Sequence, residues 1–259
     1  MPEIQLMHGD CLELMKKIPD NSVQLILADL PFGTTQNRWD SRIPFDKLWK
    51  EYERIINEIG CIALWAQPPF DKELACSNLK MFRYEWIIQK THPTGFLNAN
   101  RMPLKAHENV LIFYKRLPKY NPQKTGGHQR KVSTAGHHKN AKKTTNYGEY
   151  DFVSYDSTER YPIDVLKFRW DTQKSKSHAT QKPVSACEYF INTYTDPGDT
   201  VLDNVMGYGT TAIAAYNTGR NFIGMELDKE IFNGAALRVS VQTGLKVDDI
   251  IVGNESGNN

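Results

Sequence analysis

The sequence predicts an α/β protein with a largely parallel sheet, because strand-like and helix-like segments alternate along most of the chain. Val23–Ala28 and Cys61–Ala66 are nearly continuous apolar runs, which is typical of strands covered on both faces. Between such runs, apolar residues recur at the spacing of an amphipathic helix. The length of 259 residues allows one large domain, or a domain with an added lobe, and the hydrophobic content of 40% excludes collagen-like and disordered chains.

The part of the chain before Lys115 supplies the first elements of this pattern. Pro19 and Gly60 each end a helix, since proline cannot continue a helix and glycine is common just past its end. The predicted elements are a strand at Ile4–Asp10, a helix at Cys11–Ile18, a strand at Val23–Ala28, a helix at Phe45–Ile59, and strands at Cys61–Ala66, Tyr84–Lys90 and Glu108–Lys115.

The alternation is interrupted after Lys115 and returns near Val184. From there the predicted elements are a helix at Val184–Tyr194, a strand at Thr200–Met206, a helix after Gly209, a strand at Asn221–Leu227, a helix at Lys229–Thr243 and a short strand at Val247–Gly253.

The interruption at Lys115–Gly148 is strongly basic. It holds nine Lys and Arg residues and no acidic residue, although the whole chain has a formal net charge of only +2. The rest of the chain therefore has 23 basic and 30 acidic residues, so this segment is the expected contact for a polyanion, with a disordered basic loop as the alternative. The nine residues are Lys115, Arg116, Lys119, Lys124, Arg130, Lys131, Lys139, Lys142 and Lys143.

Histidines and cysteines give no signal for a metal site. His128, His137 and His138 lie in the basic segment with no cysteine nearby, and the four cysteines form no Cys-x-x-Cys pair. The first residues show no signal peptide, and no apolar run is long enough to span a bilayer. We therefore expect a cytoplasmic protein with reduced thiols, no metal and no membrane contact.

A candidate cofactor site follows the predicted strand at Thr200–Met206. Gly207 and Gly209 allow the backbone to turn sharply and approach a ligand closely, and Glu226 ends the next strand, where a carboxylate can bind a ribose diol. The third glycine of Gly-x-Gly-x-x-Gly is replaced by Ala212. The loop alone therefore fits a dinucleotide, S-adenosylmethionine (SAM) or an ordinary strand–helix turn.

A second cluster, Asp29–Phe32, follows the apolar strand Val23–Ala28 and so lies at the edge where ligands bind in open α/β sheets. Asp29 and the Leu30 carbonyl can accept hydrogen bonds from an exocyclic amine, while Phe32 offers a flat surface to a planar ring. Two acceptors make such an amine more tetrahedral and direct its lone pair at an electrophile. The alternative is a plain strand-to-loop turn rigidified by Pro31.

Taken together, these motifs resemble the beta class of amino-DNA methyltransferases. Asp29–Phe32 (DLPF) is similar to the catalytic tetrapeptide of that family, His178–Pro183 (HATQKP) to its His-Pro-Thr-Gln-Lys-Pro element, and Val201–Thr211 to its SAM loop. The catalytic motif comes first and the cofactor motif last, which is the permuted order of this class. Leu30, Ala179, Asn204-Val205 and Tyr208 depart from the family pattern.

The resemblance implies roles for the matching residues. Asp29, Leu30, Pro31 and Phe32 would hold a flipped base. SAM would be bound by Asp203, Gly207, Gly209 and Thr210 at its methionine side, by Thr180 and Lys182 near its carboxylate, by Glu226 at its ribose and by Asp10 near its adenine. For two of these residues simpler roles are open, a solvated charge for Lys182 and a helix cap for Asp10.

The resemblance also implies a fold, an activity and partners. We expect a Rossmann-like SAM-dependent methyltransferase fold with a mixed seven-stranded sheet and helices on both faces, composed of a catalytic half (1–116), a basic target-recognition insert (117–165) and a SAM-binding half (166–259). The expected activity is adenine-N6 methylation of double-stranded DNA, as in restriction-modification systems, in a monomer or a homodimer. The alternatives are cytosine-N4 or RNA methylation, a non-catalytic DNA-binding subunit and an NAD-dependent oxidoreductase.

Overall fold

The computed structural model describes residues 1–33, 41–134, 154–169 and 181–252. The chain divides into two compact units. The larger unit comprises Met1–Asn121 and Asp164–Asn259, and the smaller unit comprises Pro122–Ile163. No helix within the described ranges combines the length and apolar character needed to cross a bilayer.

The larger unit is built on one eight-stranded sheet with the order β1-β10-β9-β2-β3-β5-β4-β8. Every neighbouring pair is parallel except the two pairs that involve β5. The strands are β1 (Ile4–His8), β2 (Val23–Ala28), β3 (Ile56–Ala66), β4 (Phe82–Thr94), β5 (Lys105–Phe113), β8 (Val165–Phe168), β9 (Thr200–Asp203) and β10 (Asn221–Glu226).

The parallel strands define two edges of this sheet. Their carboxyl ends, including Ala28, Ala66 and Asp203, form what we call the carboxyl edge, and their first residues form the amino edge. Because β5 runs the other way, it begins with Lys105 at the carboxyl edge and ends with Phe113 at the amino edge.

Helices cover both faces of the sheet, as predicted. Alternate residues of β2 belong to two separate cores, Leu25 and Leu27 to one and Ile26 and Ala28 to the other, because strand side chains point alternately to opposite faces. Helices α1 (Cys11–Met15), α2 (Phe45–Ile55) and α3 (Phe70–Ser77) pack on one face, and α4 (Val184–Tyr194), α5 (Thr210–Asn217), α6 (Lys229–Thr243) and α7 (Val247–Ile250) on the other.

Several elements differ from the sequence prediction, and one of them, helix α3 at Phe70–Ser77, is not predicted at all. The helix expected to end at Ile59 ends at Ile55, because Ile56 pairs with Val23 and already belongs to β3. The sequence predicts a strand at Val247–Gly253, but Val247–Ile250 is helical and Ile251 forms a single bridge, to Leu6. The sheet also gains an eighth strand, Val165–Phe168, which pairs with β4.

The smaller unit contains a two-stranded antiparallel sheet among its described residues. β6 (Lys131–Ser133) pairs with β7 (Tyr155–Ser157). Backbone hydrogen bonds of 3.0 and 2.9 Å between Thr125 and Arg160 continue the pairing beyond these strands.

Candidate functional site

Asp29 lies at the carboxyl edge because it directly follows Ala28, the last residue of β2. Leu30 is buried, so the chain turns with the Asp29 carboxylate directed along the edge. The Phe32 ring stacks on Phe70, with centroids 4.9 Å apart and planes 29° apart. Arg42 Nε donates a 2.8 Å hydrogen bond to the Phe32 carbonyl, which holds the loop that carries the ring.

The Asp29 carboxylate is paired with Lys182. Lys182 Nζ lies 2.9 Å from Asp29 Oδ2 and 2.9 Å from Glu108 Oε2, and it stands 5.2 Å from the ring centroid of Trp65. The Lys182 side chain is only 11% exposed, which excludes the solvated charge considered from the sequence. The structure thus joins Lys182 directly to the tetrapeptide and gives it a second partner, Glu108, that the sequence did not single out.

Glu108 is itself held by two further side chains. Lys90 Nζ lies 2.8 Å from Glu108 Oε1, and Gln67 Nε2 donates a 2.6 Å hydrogen bond to the same oxygen. Asp29, Lys182, Glu108 and Lys90 form what we call the charge cluster, in which two carboxylates face two ammonium groups. Such a cluster is tolerated in a protein interior because its charges are paired.

The charge cluster changes the pKa values of its members. Burial raises the pKa of Asp29 against the opposing effect of Lys182. Burial also acts to raise the pKa of Glu108, but Lys182 and Lys90 outweigh it and the pKa is lowered. Burial acts to lower the pKa of Lys182, but Asp29 and Glu108 outweigh that effect and raise it. The cluster thus favours the charged forms of Glu108 and Lys182, whereas the net effect on Asp29 is a shift towards protonation.

The two oxygens of Asp29 have different surroundings. Oδ2 contacts Lys182, whereas Oδ1 is buried and accepts no hydrogen bond from the residues that the structure describes. Buried carboxylate oxygens in proteins almost always have a donor. Oδ1 is therefore the atom of this site that is best placed to accept a hydrogen bond from a ligand.

The predicted cofactor loop lies at the end of β9, the direct neighbour of β2. Gly209 has a left-handed backbone, with φ of 75°, and a Cβ there would lie 2.8 Å from Val239, so only glycine fits. Gly207 also has a positive φ, of 51°, but a Cβ there would meet no atom within 4 Å. The backbone at Gly207 is thus open to a close approach by a ligand.

Two acids flank this loop. Asp203 is buried and accepts hydrogen bonds from Thr211 Oγ1 (2.7 Å) and from the Val205 N–H (3.2 Å). Burial raises the pKa of Asp203 to about 7. Glu226 accepts hydrogen bonds from the N–H groups of Gly207 (3.1 Å) and Asp228 (2.8 Å), which fix its carboxylate at the end of β10.

Asp10 and Thr210 occupy their predicted places with local roles of their own. Asp10 caps α1, since its side chain accepts a 2.7 Å hydrogen bond from Leu12 N, and β1 places it beside β10 and Glu226. Thr210 opens α5 and accepts a 3.0 Å hydrogen bond from Arg238. Arg238 also donates to the Tyr208 carbonyl, at 2.8 Å, and so braces the loop in a way that the sequence did not predict.

Asn204, which departs from the family pattern, is buried next to Asp203. Its Oδ1 accepts a 2.6 Å hydrogen bond from Tyr52 on α2. This hydrogen bond ties the start of the cofactor loop to α2.

The predicted DNA-binding cations fall into three groups: some lie at the amino edge, some in the smaller unit, and some outside the described residues. Lys115, Arg116 and Lys119 lie at the amino edge, on the opposite side of the sheet from Asp29. Lys115 and Arg116 pair there with Glu58, and Lys119 pairs with Asp196. In the smaller unit, Lys124 pairs with Glu159, Arg130 pairs with Asp156 and Lys131 is exposed. Lys139, Lys142, Lys143 and the predicted SAM contact Thr180 lie outside the described residues.

The connection from β4 to β5 exposes apolar side chains at the carboxyl edge. Phe96 and Leu97 are 82% and 98% exposed, and Met102 and Leu104 are also exposed. No acidic residue lies between Thr91 and His107, whereas Arg101 and Lys105 are basic. We call residues 95–105 the edge loop.

The fold thus places the tetrapeptide and the glycine loop at the ends of adjacent strands of one sheet. The family model described as DNA methylase (N6_N4_Mtase) matches residues 23–237. The chain therefore belongs to this DNA methylase family, as its sequence predicted.

Individual relatives agree with this family. The chain is 30% identical to "Type II methyltransferase M.BglII" of Bacillus subtilis, covering 87% of this chain and 66% of that protein, so it spans about two thirds of that relative. It is 26% identical to "DNA adenine methyltransferase YhdJ" of Escherichia coli (strain K12), covering 95% and 85%. The structure resembles the M1.HpyAVI–SAM complex, with a TM-score of 0.60 at 23% identity over 91% of this chain and 98% of that one, which supports the fold.

Proposed function

We propose that this protein is a SAM-dependent DNA methyltransferase that acts on the N6 atom of adenine. The observation that carries the proposal is the Asp29 carboxylate at the end of β2, with Oδ2 on Lys182 and Oδ1 available to a donor. Its neighbouring strand, β9, leads directly into the glycine loop. An amine acceptor and a nucleoside-type loop thus lie on adjacent strands of one edge.

The residues of the loop fit the cofactor. Glu226 presents an oriented carboxylate suited to a ribose diol, and Gly207 leaves room for close backbone contact. SAM, when bound, supplies a methyl group on a sulfonium, which is an electrophile for an amine. Asp203, Gly209 and Thr210 shape the turn that would face its methionine part, and Asp10 lies beside Glu226 for its adenine.

The tetrapeptide fits the other reactant. The amino group of the base would donate one hydrogen to Asp29 Oδ1 and the other to the Leu30 carbonyl, which directs the nitrogen lone pair at the methyl group. In such a transfer the amine nitrogen would form the new N–C bond, and the S–C bond of SAM would break with its electron pair left on sulfur. The methylated nitrogen would carry a positive charge and would lose its proton to water, so the site needs no strong base.

Such a reaction requires the target nucleotide to leave the duplex. Flipping costs a few kcal/mol, and stacking on an aromatic ring returns about 1–3 kcal/mol. Phe32 is the candidate ring, since Phe70 holds it from behind at 4.9 Å. Pro31 restricts the backbone that carries it.

In the larger unit, the proposed DNA contact is the edge loop; in the smaller unit, considered by itself, it is the set of cations. Exposed Phe96 and Leu97 are the kind of apolar wedge that inserts between unstacked bases, and Arg101 and Lys105 add positive charge beside them. Ion pairs at exposed sites contribute little stability, so Lys124 and Arg130 can exchange their acidic partners for phosphates. Lys139, Lys142 and Lys143 belong to the proposal on sequence grounds. Lys115, Arg116 and Lys119 do not, because they lie at the amino edge.

The choice of adenine rests on Asp29, since an acid at this position is a tendency of the adenine-specific members, and on the name of YhdJ. Cytosine N4 in DNA, or an amine in RNA, is the second candidate. No specific observation favours the other two alternatives. Hydride transfer by an NAD-dependent oxidoreductase does not require an acceptor for an amine. A non-catalytic DNA-binding subunit does not require an Asp29 carboxylate held by Lys182.

Transfer of a labelled methyl group from SAM to adenine-containing DNA tests the proposal. Asp29→Ala should lower kcat by at least about 100-fold and leave the Kd for SAM within about twofold, because Asp29 meets the base and not the cofactor. Asp46→Ala, at an exposed carboxylate of α2, is the matched control and should behave as wild type. Base analysis of the product distinguishes N6-methyladenine from N4-methylcytosine. Binding of NAD without binding of SAM would reject the proposal.

A further inference from the structure

We propose that Lys182 and Glu108 are positioning residues for the target amine, in that Lys182 fixes the Asp29 carboxylate and Glu108 fixes Lys182. This inference rests on the proposed function and deepens it. It assigns to Lys182 a different partner from the one that the family resemblance implies, which is the SAM carboxylate, and it adds Glu108 to the site.

The two oxygens of Asp29 have different roles in this inference: Oδ2 pairs with Lys182, and Oδ1 accepts from the target amine. A carboxylate at the end of a short side chain rotates easily, and only one rotation aims a given oxygen at a bound amine. Lys182 holds Oδ2 at 2.9 Å, so the position of Oδ1 is set before the base arrives. Displacements of about 1 Å at a reacting group can cost 100-fold in rate, which makes this restraint valuable.

Lys182 needs an anchor of its own, because an unbranched lysine chain loses about 2 kcal/mol of entropy when held in one geometry. Glu108 supplies it at 2.9 Å from a side chain that is only 6% exposed. Glu108 lies near the start of β5, where Ile88 of β4 pairs with it, and Gln67 and Lys90 fix its other oxygen. The restraint therefore reaches Asp29 from a rigid strand.

The contacts of Lys182 also argue against a main role at the cofactor. An ammonium group has three N–H donors, and two carboxylates already lie within 2.9 Å of this one. A third carboxylate at Nζ would meet the negative charges of Asp29 and Glu108. Lys182 is therefore expected to contribute to turnover far more than to SAM affinity.

A first experiment separates these two roles of Lys182. In Lys182→Met, kcat should fall by about 10- to 100-fold, while the Kd values for SAM and for methylthioadenosine, a probe without the amino acid, stay within about twofold. If Lys182 bound the SAM carboxylate, Lys182→Met would weaken SAM by tenfold or more and leave methylthioadenosine unchanged. That result, or an unchanged kcat, would overturn the inference.

The pH profile of kcat gives a readout that a merely structural role would not move. The charged groups that act on Asp29 are Lys182, Glu108 and Lys90, and Asp203 and Cys187 lie close enough to sense Asp29. Removing the Lys182 charge raises the pKa of Asp29, and only ionised Asp29 accepts from the amine. The acid limb of the profile should therefore move to higher pH in Lys182→Met, and an unmoved limb contradicts the inference.

A second experiment tests Glu108 with the cluster kept neutral. Glu108→Gln leaves one positive charge in excess, so it is paired with the double variant Glu108→Gln/Lys90→Met, which removes one charge of each sign. If Glu108 only balances Lys90, the double variant recovers wild-type kcat, and the inference fails. If Glu108 positions Lys182, both variants stay about tenfold slow with unchanged SAM affinity. Glu108→Asp should recover part of the loss, because it keeps the charge.

The wild-type protein separates failure of the inference from failure of the proposed function. Wild type that transfers no methyl group to any DNA rejects the function. An active wild type whose Lys182→Met variant keeps full kcat rejects only the positioning role.

Discussion

Glu226, at the end of β10, accepts a 3.1 Å hydrogen bond from the backbone N–H of Gly207, at the start of the glycine loop. Its other oxygen accepts a 2.8 Å hydrogen bond from the N–H of Asp228. Two backbone donors thus set the orientation of the carboxylate, and each oxygen keeps a lone pair for a ligand hydroxyl. The acid and the loop form one preorganised unit.

This arrangement predicts that Glu226→Gln weakens SAM binding by about 10- to 100-fold. In the variant, an amide nitrogen replaces one carboxylate oxygen, so one hydrogen bond from a backbone N–H or a ribose hydroxyl is lost. A hydrogen bond to a charged group is worth about 1.5–3 kcal/mol. Isothermal titration measures the Kd. Glu230→Gln, at an exposed position in the first turn of α6, is the control and should leave it unchanged. Equal affinity of Glu226→Gln and wild type would remove Glu226 from the cofactor site.

Asp203 predicts a pH dependence of stability. Its pKa is raised to about 7 in the folded protein, so the native state binds the proton more tightly than the unfolded chain does. The stability contributed by this group is therefore present below about pH 4 and is lost as pH rises towards 7, by up to about 4 kcal/mol. Asp203→Asn removes this loss.

Urea denaturation of Asp203→Asn and wild type without cofactor, at pH 5 and pH 8, measures the effect. The variant should gain stability relative to wild type as pH rises, since an amide can still accept from Val205 N and donate to Thr211. Asp46→Asn serves as the surface control, with no pH-dependent difference. A constant difference for Asp203→Asn at both pH values would contradict the raised pKa.

The edge loop predicts a defect that depends on base pairing. Replacing Phe96 and Leu97 by serine should lower kcat/KM on duplex DNA by about tenfold, because the wedge no longer replaces lost stacking. The defect should shrink on DNA whose target base is mispaired, since flipping then costs less. Leu79→Ser, an exposed leucine just before β4 at the amino edge, is the matched control. Equal defects on paired and mispaired DNA would speak against a wedge.

The distribution of cations predicts which residues set the salt dependence of DNA binding. Alanine replacements of Lys124, Arg130 and Lys131 should reduce the slope of log K against log salt by about 0.9 for each phosphate that the protein no longer neutralises. Neutralising Lys139, Lys142 and Lys143 should act in the same direction.

The triple variant Lys115→Ala/Arg116→Ala/Lys119→Ala is the comparison, because these cations pair with Glu58 and Asp196 at the amino edge. Fluorescence anisotropy at several salt concentrations gives the slopes. A larger change from this second set than from the first would place the DNA at the amino edge of the sheet.

The sequence was informative wherever neighbouring residues carry the signal. Val23–Ala28 predicts β2 with its bounds, and Asp29 follows directly, so the position of the tetrapeptide could be inferred from local order alone. The same holds for Gly207 and Gly209, because both have positive φ angles, which favour glycine. At Gly209 a Cβ would also clash with Val239, whereas at Gly207 the space is open. Helical spacing could not place the end of α2, because Ile56 fits a helix face and a strand equally well until Val23 pairs with it.

The sequence was uninformative where the site depends on contacts between distant segments. Lys182 and Glu108 are 74 residues apart, and no spacing rule connects them. A usable signal was present, since Glu108 opens the otherwise apolar run of β5, and an acid at a buried strand end needs a cation. The same limit applies to Lys115 and its neighbours, because their separation from Asp29 follows from the reversed direction of β5.

The pairing of β2 with β9 also constrains how the protein acquires its structure. Leu25 and Ile26 lie beside Val201 and Leu202 in the middle of the sheet, although they are 176 residues apart. Contacts between residues so far apart in the chain form slowly. During synthesis, the side of β2 that pairs with β9 stays unpaired until Thr200–Asp203 have left the ribosome. Asp29 and its charge cluster therefore become a defined site only late in folding, when Lys182 and β9 arrive together.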